Sequence, residues 1–153
     1  MNYSTEKNPI VNILLVEDNP ADVMLTREAL KESKINNVLN VVMDGEEALL
    51  YLRKLGKHKS AETPDLVLLD LNLPKRNGHS VLTDIKADPN LKSIPIIILT
   101  TSSAEEDISN TYANHANCYI IKPTDFRKFI DVVKSIEDFW VTIVKLPKKK
   151  SVH

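Results

Sequence analysis

Cysteine is almost absent: Cys118 is the only one in 153 residues. That excludes an intrachain disulfide and a cysteine-built zinc site, and it leads us to expect a reducing, cytoplasmic setting. Glycine is nearly as scarce. With only Gly45, Gly56 and Gly78, neither a P-loop nor a G-x-G-x-x-G fingerprint can be written, so nucleotide binding through a glycine-rich loop is excluded. An excess of either charge is missing too. Lys and Arg number 20 and Asp and Glu number 21, a formal charge of -1, which supplies none of the positive field that binding a nucleic acid by charge requires. No apolar run approaches the roughly 20 residues of a membrane-spanning helix. The opening MNYSTEKNPI also lacks a basic-then-apolar signal pattern, so no membrane insertion is expected. The length suits one domain, and no second one, such as a DNA-binding domain, is expected. Apolar residues at 42% and charged residues at 27% are the composition of a chain that builds a core.

What is present is alternation. Short β-branched runs, Val11–Val16, Val38–Met43, Leu66–Leu69, Ile96–Thr100 and Cys118–Ile121, are separated by stretches of helical period. That is the pattern of βαβ units around a parallel sheet, and three of the runs are almost continuously apolar, as strands covered on both faces are. Helix starts are marked between them. Asn19 before Pro20 predicts an N-cap and a first-turn proline for a helix over 21–34, and Asp44 with Glu47 and Ser103 with Glu106 have capping-box spacing. A third helix is predicted over 78–87, stopped by Asp88 and Pro89, and Thr124 is placed to cap a last helix from Asp125. The polar, basic stretch between Gly56 and Pro64 reads as an exposed loop.

In an open parallel sheet, ligands collect beyond the carboxyl ends of the strands. Glu17 and Asp18 follow the first strand, Asp70 ends the third, Thr100 the fourth, and Lys122 with Pro123 follows the fifth. Taken singly each has an ordinary explanation: an acid after a strand is often a helix cap, a strand-end threonine finishes its ladder, and a surface lysine is solvated. Together they do not. Two carboxylates at ~4 Å repel by about 4 kcal/mol at an effective dielectric near 20, so a fold that gathers three needs counter-charge. Lys122 supplies one, and a divalent cation would supply the other. Oxygen-only ligands favour a hard ion such as Mg²⁺.

The segments ILLVEDNP, LVLLDLNLP, IIILTTS and YIIKP, in this order and spacing, resemble the receiver domain of two-component response regulators. The resemblance implies a doubly wound α/β fold, flavodoxin-like (βα)5, with strand order 2-1-3-4-5. It divides the chain into a flexible N-terminus over 1–9, a receiver domain over 10–140 and a C-terminal extension over 141–153. It implies that Asp70 is the phosphoacceptor, and that Glu17, Asp18, Asp70 and the backbone carbonyl of Asn72 hold Mg²⁺. Thr100 would be the switch hydroxyl, Lys122 the phosphate-binding ammonium and Tyr119 the aromatic that changes rotamer, while Asn72 and Ser102 would tune dephosphorylation. The Lys122–Pro123 bond is typically cis in that family.

The longer pattern, with LNLPKRNG and a last helix ending FW, is similar to the response regulators that serve phytochrome histidine kinases. The partner implied is a sensor kinase of that type, docking near Pro20 and Met24. Family relatives dimerise through the face made by the last two helices and the last strand. In this chain Phe139 and Trp140 are adjacent at the end of an apolar helical stripe and point in different directions, which leaves a large ring for a dimer contact. No action on exogenous substrates is expected, only the chain's own phosphorylation and dephosphorylation. A phosphatase of the haloacid dehalogenase type needs an acid two residues after its aspartate, and here that residue is Asn72. A receiver-fold adaptor that signals by docking alone is the alternative reading.

Overall fold

The computed structural model describes residues 10–32, 36–75, 77–101, 118–122 and 126–139. The elements run β1 (Val11–Val16), α1 (Pro20–Lys31), β2 (Asn37–Val42), α2 (Gly45–Arg53), a 3-10 turn (Gly56–His58), β3 (Leu66–Leu69), α3 (Gly78–Ala87), β4 (Ile96–Thr100), β5 (Cys118–Ile121) and α4 (Phe126–Phe139). All five strands form one sheet in the order β2-β1-β3-β4-β5, and every pairing is parallel. The doubly wound order expected from the sequence is the one observed.

The pleat sends alternate side chains to opposite faces, which gives the sheet two cores. Leu14, Val16, Val67, Leu69, Ile96 and Ile98 pack with α2 and α3. Ile13, Leu15, Leu66, Leu68, Ile97 and Leu99 pack with Ala29 and Leu30 of α1 and with Ile130 and Val132 of α4. Central β3 and β4 are buried at every position, so their continuous apolar runs are what a doubly covered strand requires. Edge strand β2 alternates between buried or half-buried and exposed positions.

Helix ends follow the caps. Asn19 Oδ1 accepts from the backbone N–H groups of Ala21 and Asp22, and Pro20 is itself the first helical residue. Asp44 Oδ1 accepts from Glu47 N at 2.7 Å, and Glu47 Oε1 accepts from Met43 N at 3.2 Å. β2 runs one residue earlier than the expected Val38–Met43, because it keeps register with β1, whose Val11 and Val16 pair with Asn37 and Val42. The first helix stops at Lys31, three residues short of its expected end, where the Glu32 N–H turns back onto Ala29 and Leu30. The stretch after Gly56 is not simply an exposed loop. His58 lies half-buried, its ring centroid 5.1 Å from that of Tyr51 and its Nε2 3.2 Å from Glu47 Oε2. The caps expected at Ser103 and Thr124, and the Lys122–Pro123 bond, lie outside the described residues.

Candidate functional site

β1 and β3 are neighbours in the sheet although β2 separates them in sequence. The winding therefore reverses between their ends, and that crevice is where an open α/β sheet binds its ligand. Parity decides which side chains enter it. Leu15, Leu68 and Ile120 pack on the α1 side, and Glu17, Asp70 and Lys122 each stand two residues further on, so the same pleat turns them toward α1. Thr100 follows Ile98 by two residues and shares its face, as does Tyr119, the half-buried register partner of Ile98.

The result is a buried ionic cluster. Lys122 Nζ donates to Glu17 Oε1, to Asp22 Oδ2 at 2.8 Å and to Asp70 Oδ2 at 3.0 Å. An ammonium has three donors, so all of them are used. The other Asp70 oxygen, Oδ1, accepts from Thr100 Oγ1 at 2.7 Å and from the Asn72 backbone N–H at 3.0 Å. Asn72 Nδ2 reaches Thr100 Oγ1 at 3.4 Å, and Glu17 Oε2 accepts from Asn19 N at 3.2 Å.

Environment separates the two buried acids. Burial is the largest influence on Glu17 and, with Asp70 nearby, pushes its carboxyl up to about 7 despite the pull of Lys122. Burial also opposes ionisation of Asp70. There the Asn72 N–H, the Thr100 hydroxyl and Lys122 together outweigh it and hold the carboxyl below its ordinary value. Lys122 is opposed by burial as well, but its acidic partners hold its pKa above the usual lysine range. At neutral pH, then, Asp70 is an ionised carboxylate next to a fixed positive charge, the state a nucleophile needs, while Glu17 sits near its titration point.

Of the residues expected from the sequence, the structure brings together Glu17, Asp70, Asn72, Thr100 and Lys122. Asp18 lies at the same edge, exposed. Phe139 closes α4, whereas Ser102 and Trp140 lie outside the described residues. Two participants were missed. Asp22, in the first turn of α1, is a further carboxylate on Lys122; an acid there is an ordinary complement to the helix dipole, which hides it. Gly78 is the other. A Cβ at Gly78 would stand 2.3 Å from the Asp70 carbonyl oxygen and 2.6 Å from Leu71 Cα, while its own N–H donates to Leu71 O at 2.9 Å. The start of α3 is thus pressed against the backbone of the site.

The oxygens that could hold a metal, those of Glu17, Asp18 and Asp70 and the Asn72 carbonyl, are of the kind a hard divalent ion takes. Among the described residues no three acidic, histidine or cysteine side chains are arranged to hold a metal ion; the Lys122 ammonium stands among Glu17, Asp22 and Asp70 as their counter-cation. Four carboxylates against one ammonium leave negative charge that such an ion would offset.

The family model for the response regulator receiver domain matches residues 13–134. Response regulator Rcp1 of Synechocystis is 44% identical over 144 residues, which cover 94% of this chain and 98% of Rcp1. The crystal structure of the phosphorylated cyanobacterial phytochrome response regulator RcpA is 48% identical with a TM-score of 0.84, covering 88% of this chain and 96% of that one. The Mn²⁺-bound form of Rcp1 is similar at a TM-score of 0.82 and 43% identity, with coverage of 88% and 96%.

Proposed function

The chain belongs to the response regulator receiver domain family, and on that premise we propose that it accepts a phosphoryl group on Asp70 from the phosphohistidine of a sensor histidine kinase. The kinase is of the phytochrome type and the setting is the cytoplasm. The observation that carries this reading is the state of Asp70: an ionised strand-end carboxylate with one oxygen held by Thr100 and Asn72 and the other by Lys122. Likeness to RcpA and Rcp1 supports the kinase type.

An Asp70 oxygen attacks phosphorus as the P–N bond to the donor histidine breaks. The electron pair leaves with the imidazole nitrogen, which takes up a proton from solvent. The transition state spreads charge over its equatorial oxygens, so catalysis is mainly positioning and neutralisation. Lys122 supplies a buried positive charge, and Asn72 and Thr100 fix the attacking carboxylate. Mg²⁺, held by Glu17, Asp18, Asp70 and the Asn72 backbone carbonyl, would neutralise phosphoryl oxygens when bound; the Mn²⁺-bound form of Rcp1 supports a divalent ion here. Once Asp70 carries phosphate, its new acceptor oxygens draw in the Thr100 hydroxyl, and Tyr119, on the same face of the neighbouring strand, moves into the space vacated. Asn72 and Ser102 tune how long the phosphoryl group persists.

The altered surface passes the signal to a partner or a second copy, the latter through Phe139 and Trp140. Met24, 66% exposed on α1 beside the site, belongs to the surface that meets the kinase. Incubation with Mg²⁺ and phosphoramidate adds one phosphoryl group, seen by intact mass, and Asp70→Asn abolishes the addition. Undiminished labelling of Asp70→Asn would sink the assignment, and equal partner affinity with and without phosphodonor would favour the adaptor. Light scattering tests the dimer, which Trp140→Ala weakens.

A further inference from the structure

Lys122 is fully engaged in the unmodified protein, yet its three carboxylate partners are not held alike. Glu17 and Asp70 side chains are 2% and 8% exposed, whereas Asp22 is 25% exposed. Glu17 is tied to the backbone N–H of Asn19, and Asp70 to Thr100 and Asn72. The Asp22 carboxylate accepts from Lys122 Nζ at 2.8 Å. Greater solvent contact raises the effective dielectric and weakens the pair, so Asp22 is the partner most easily exchanged. It is also the one that comes from a helix, α1, whose first turn it occupies.

We infer that Asp22 is a positioning residue that competes for the Lys122 ammonium, holding it toward α1 while Asp70 is unmodified and losing it when an anionic group on Asp70 presents new oxygens. This rests on Asp70 being the phosphoacceptor. Two consequences follow from charge alone. Asp22 weakens the hold of the site on any phosphoryl-like anion, because its own negative charge must be left behind. And its release frees the first turn of α1, so a covalent change at the end of β3 is felt at a helix that no bond joins to Asp70.

The test uses beryllofluoride, a non-covalent phosphoryl mimic, at saturating Mg²⁺ on the full chain. Asp22→Asn keeps the shape and removes the charge, and is expected to bind the mimic about fivefold more tightly, the scale of a partly exposed ion pair. Asp22→Glu restores the original affinity. The Lys122 side-chain NMR signals supply a readout that a merely structural role would not move: in unliganded Asp22→Asn they shift toward their positions in the beryllofluoride-bound original protein. Unchanged or weakened affinity in Asp22→Asn overturns the inference, and a weakened affinity accompanied by loss of Mg²⁺ binding assigns Asp22 to the metal instead. If the original protein binds no beryllofluoride, or Asp70→Asn binds it equally well, the phosphoacceptor reading falls and this inference falls with it.

Discussion

Replacing Gly78 with alanine adds one methyl group at the first residue of α3, and two effects of opposite sign follow. Helix propensity alone favours alanine over glycine by about 1 kcal/mol. The tertiary contact opposes it, since the new carbon would stand 2.3 Å from the Asp70 carbonyl oxygen and 2.6 Å from Leu71 Cα. Both atoms are backbone, so no rotamer change relieves the overlap; either α3 retreats, breaking the Gly78 N–H bond to Leu71 O, or the turn after β3 moves. Overpacking of this kind costs about 1–3 kcal/mol and a broken hydrogen bond about 1 more. The steric cost wins, and the net expectation is a loss of about 1–3 kcal/mol. Because one of the displaced atoms is the Asp70 carbonyl oxygen, phosphodonor labelling falls as well. Gly56→Ala is the control. Gly56 has φ of 60° and nothing within 4 Å of a new Cβ, so it costs only the left-handed backbone, about 1–2 kcal/mol, and leaves labelling unchanged. Urea denaturation followed by circular dichroism, run beside the labelling assay, separates the two. A Gly78→Ala protein as stable as the original, with full labelling, would refute the close-contact argument.

Lys122→Met leaves the buried acids without their counter-charge and destabilises the metal-free protein by about 3–5 kcal/mol; part of this returns with Mg²⁺ or at acid pH, and a variant insensitive to both would contradict the cluster. In metal-free buffer the native state holds a proton on Glu17 that the unfolded chain has already released between pH 4.5 and about 7. The Glu17 contribution is thus fully present below 4.5 and lost as pH rises toward 7. Asp70, depressed below 3.8, acts oppositely: its contribution is present above that value and lost as pH falls through the native pKa. Urea midpoints across pH 3–8, compared with Glu17→Gln and Asp70→Asn, resolve the two slopes. Thr100→Val removes the 2.7 Å bond to Asp70 Oδ1 and is expected to cost about 1.5–3 kcal/mol, since the acceptor is charged; no change in the urea midpoint would show that Asn72 and Lys122 suffice.

The strands could be read from the chain because continuous apolar runs such as Leu66–Leu69 and Ile96–Thr100 are explained by burial on two faces and by little else. Asp70, Thr100 and Lys122 could be read because each marks a strand end, and in a parallel sheet all such ends lie at one edge. The end of β2 was misplaced by one residue because its bounds are set by pairing with Val11–Val16 of β1, which a β-branched pattern does not register. His58 looked like loop because its partners, Tyr51 and Glu47, lie on the preceding helix.

The sequence by itself determined the alternation of strands and helices around a parallel sheet, the edge where chemistry collects and the residue types gathered there, since these depend on periodicity and on the order of elements along the chain; the doubly wound strand order came from the family resemblance of its motifs. Only the tertiary structure decided how the charges pair. Asp22 meets Lys122 across 100 positions of sequence, and Gly78 meets Asp70 through a turn whose closeness no local signal records. Both are matters of distance between elements packed independently against the sheet. Distance is also what decides which carboxylate stays ionised and which gives way, because burial and charge act through it.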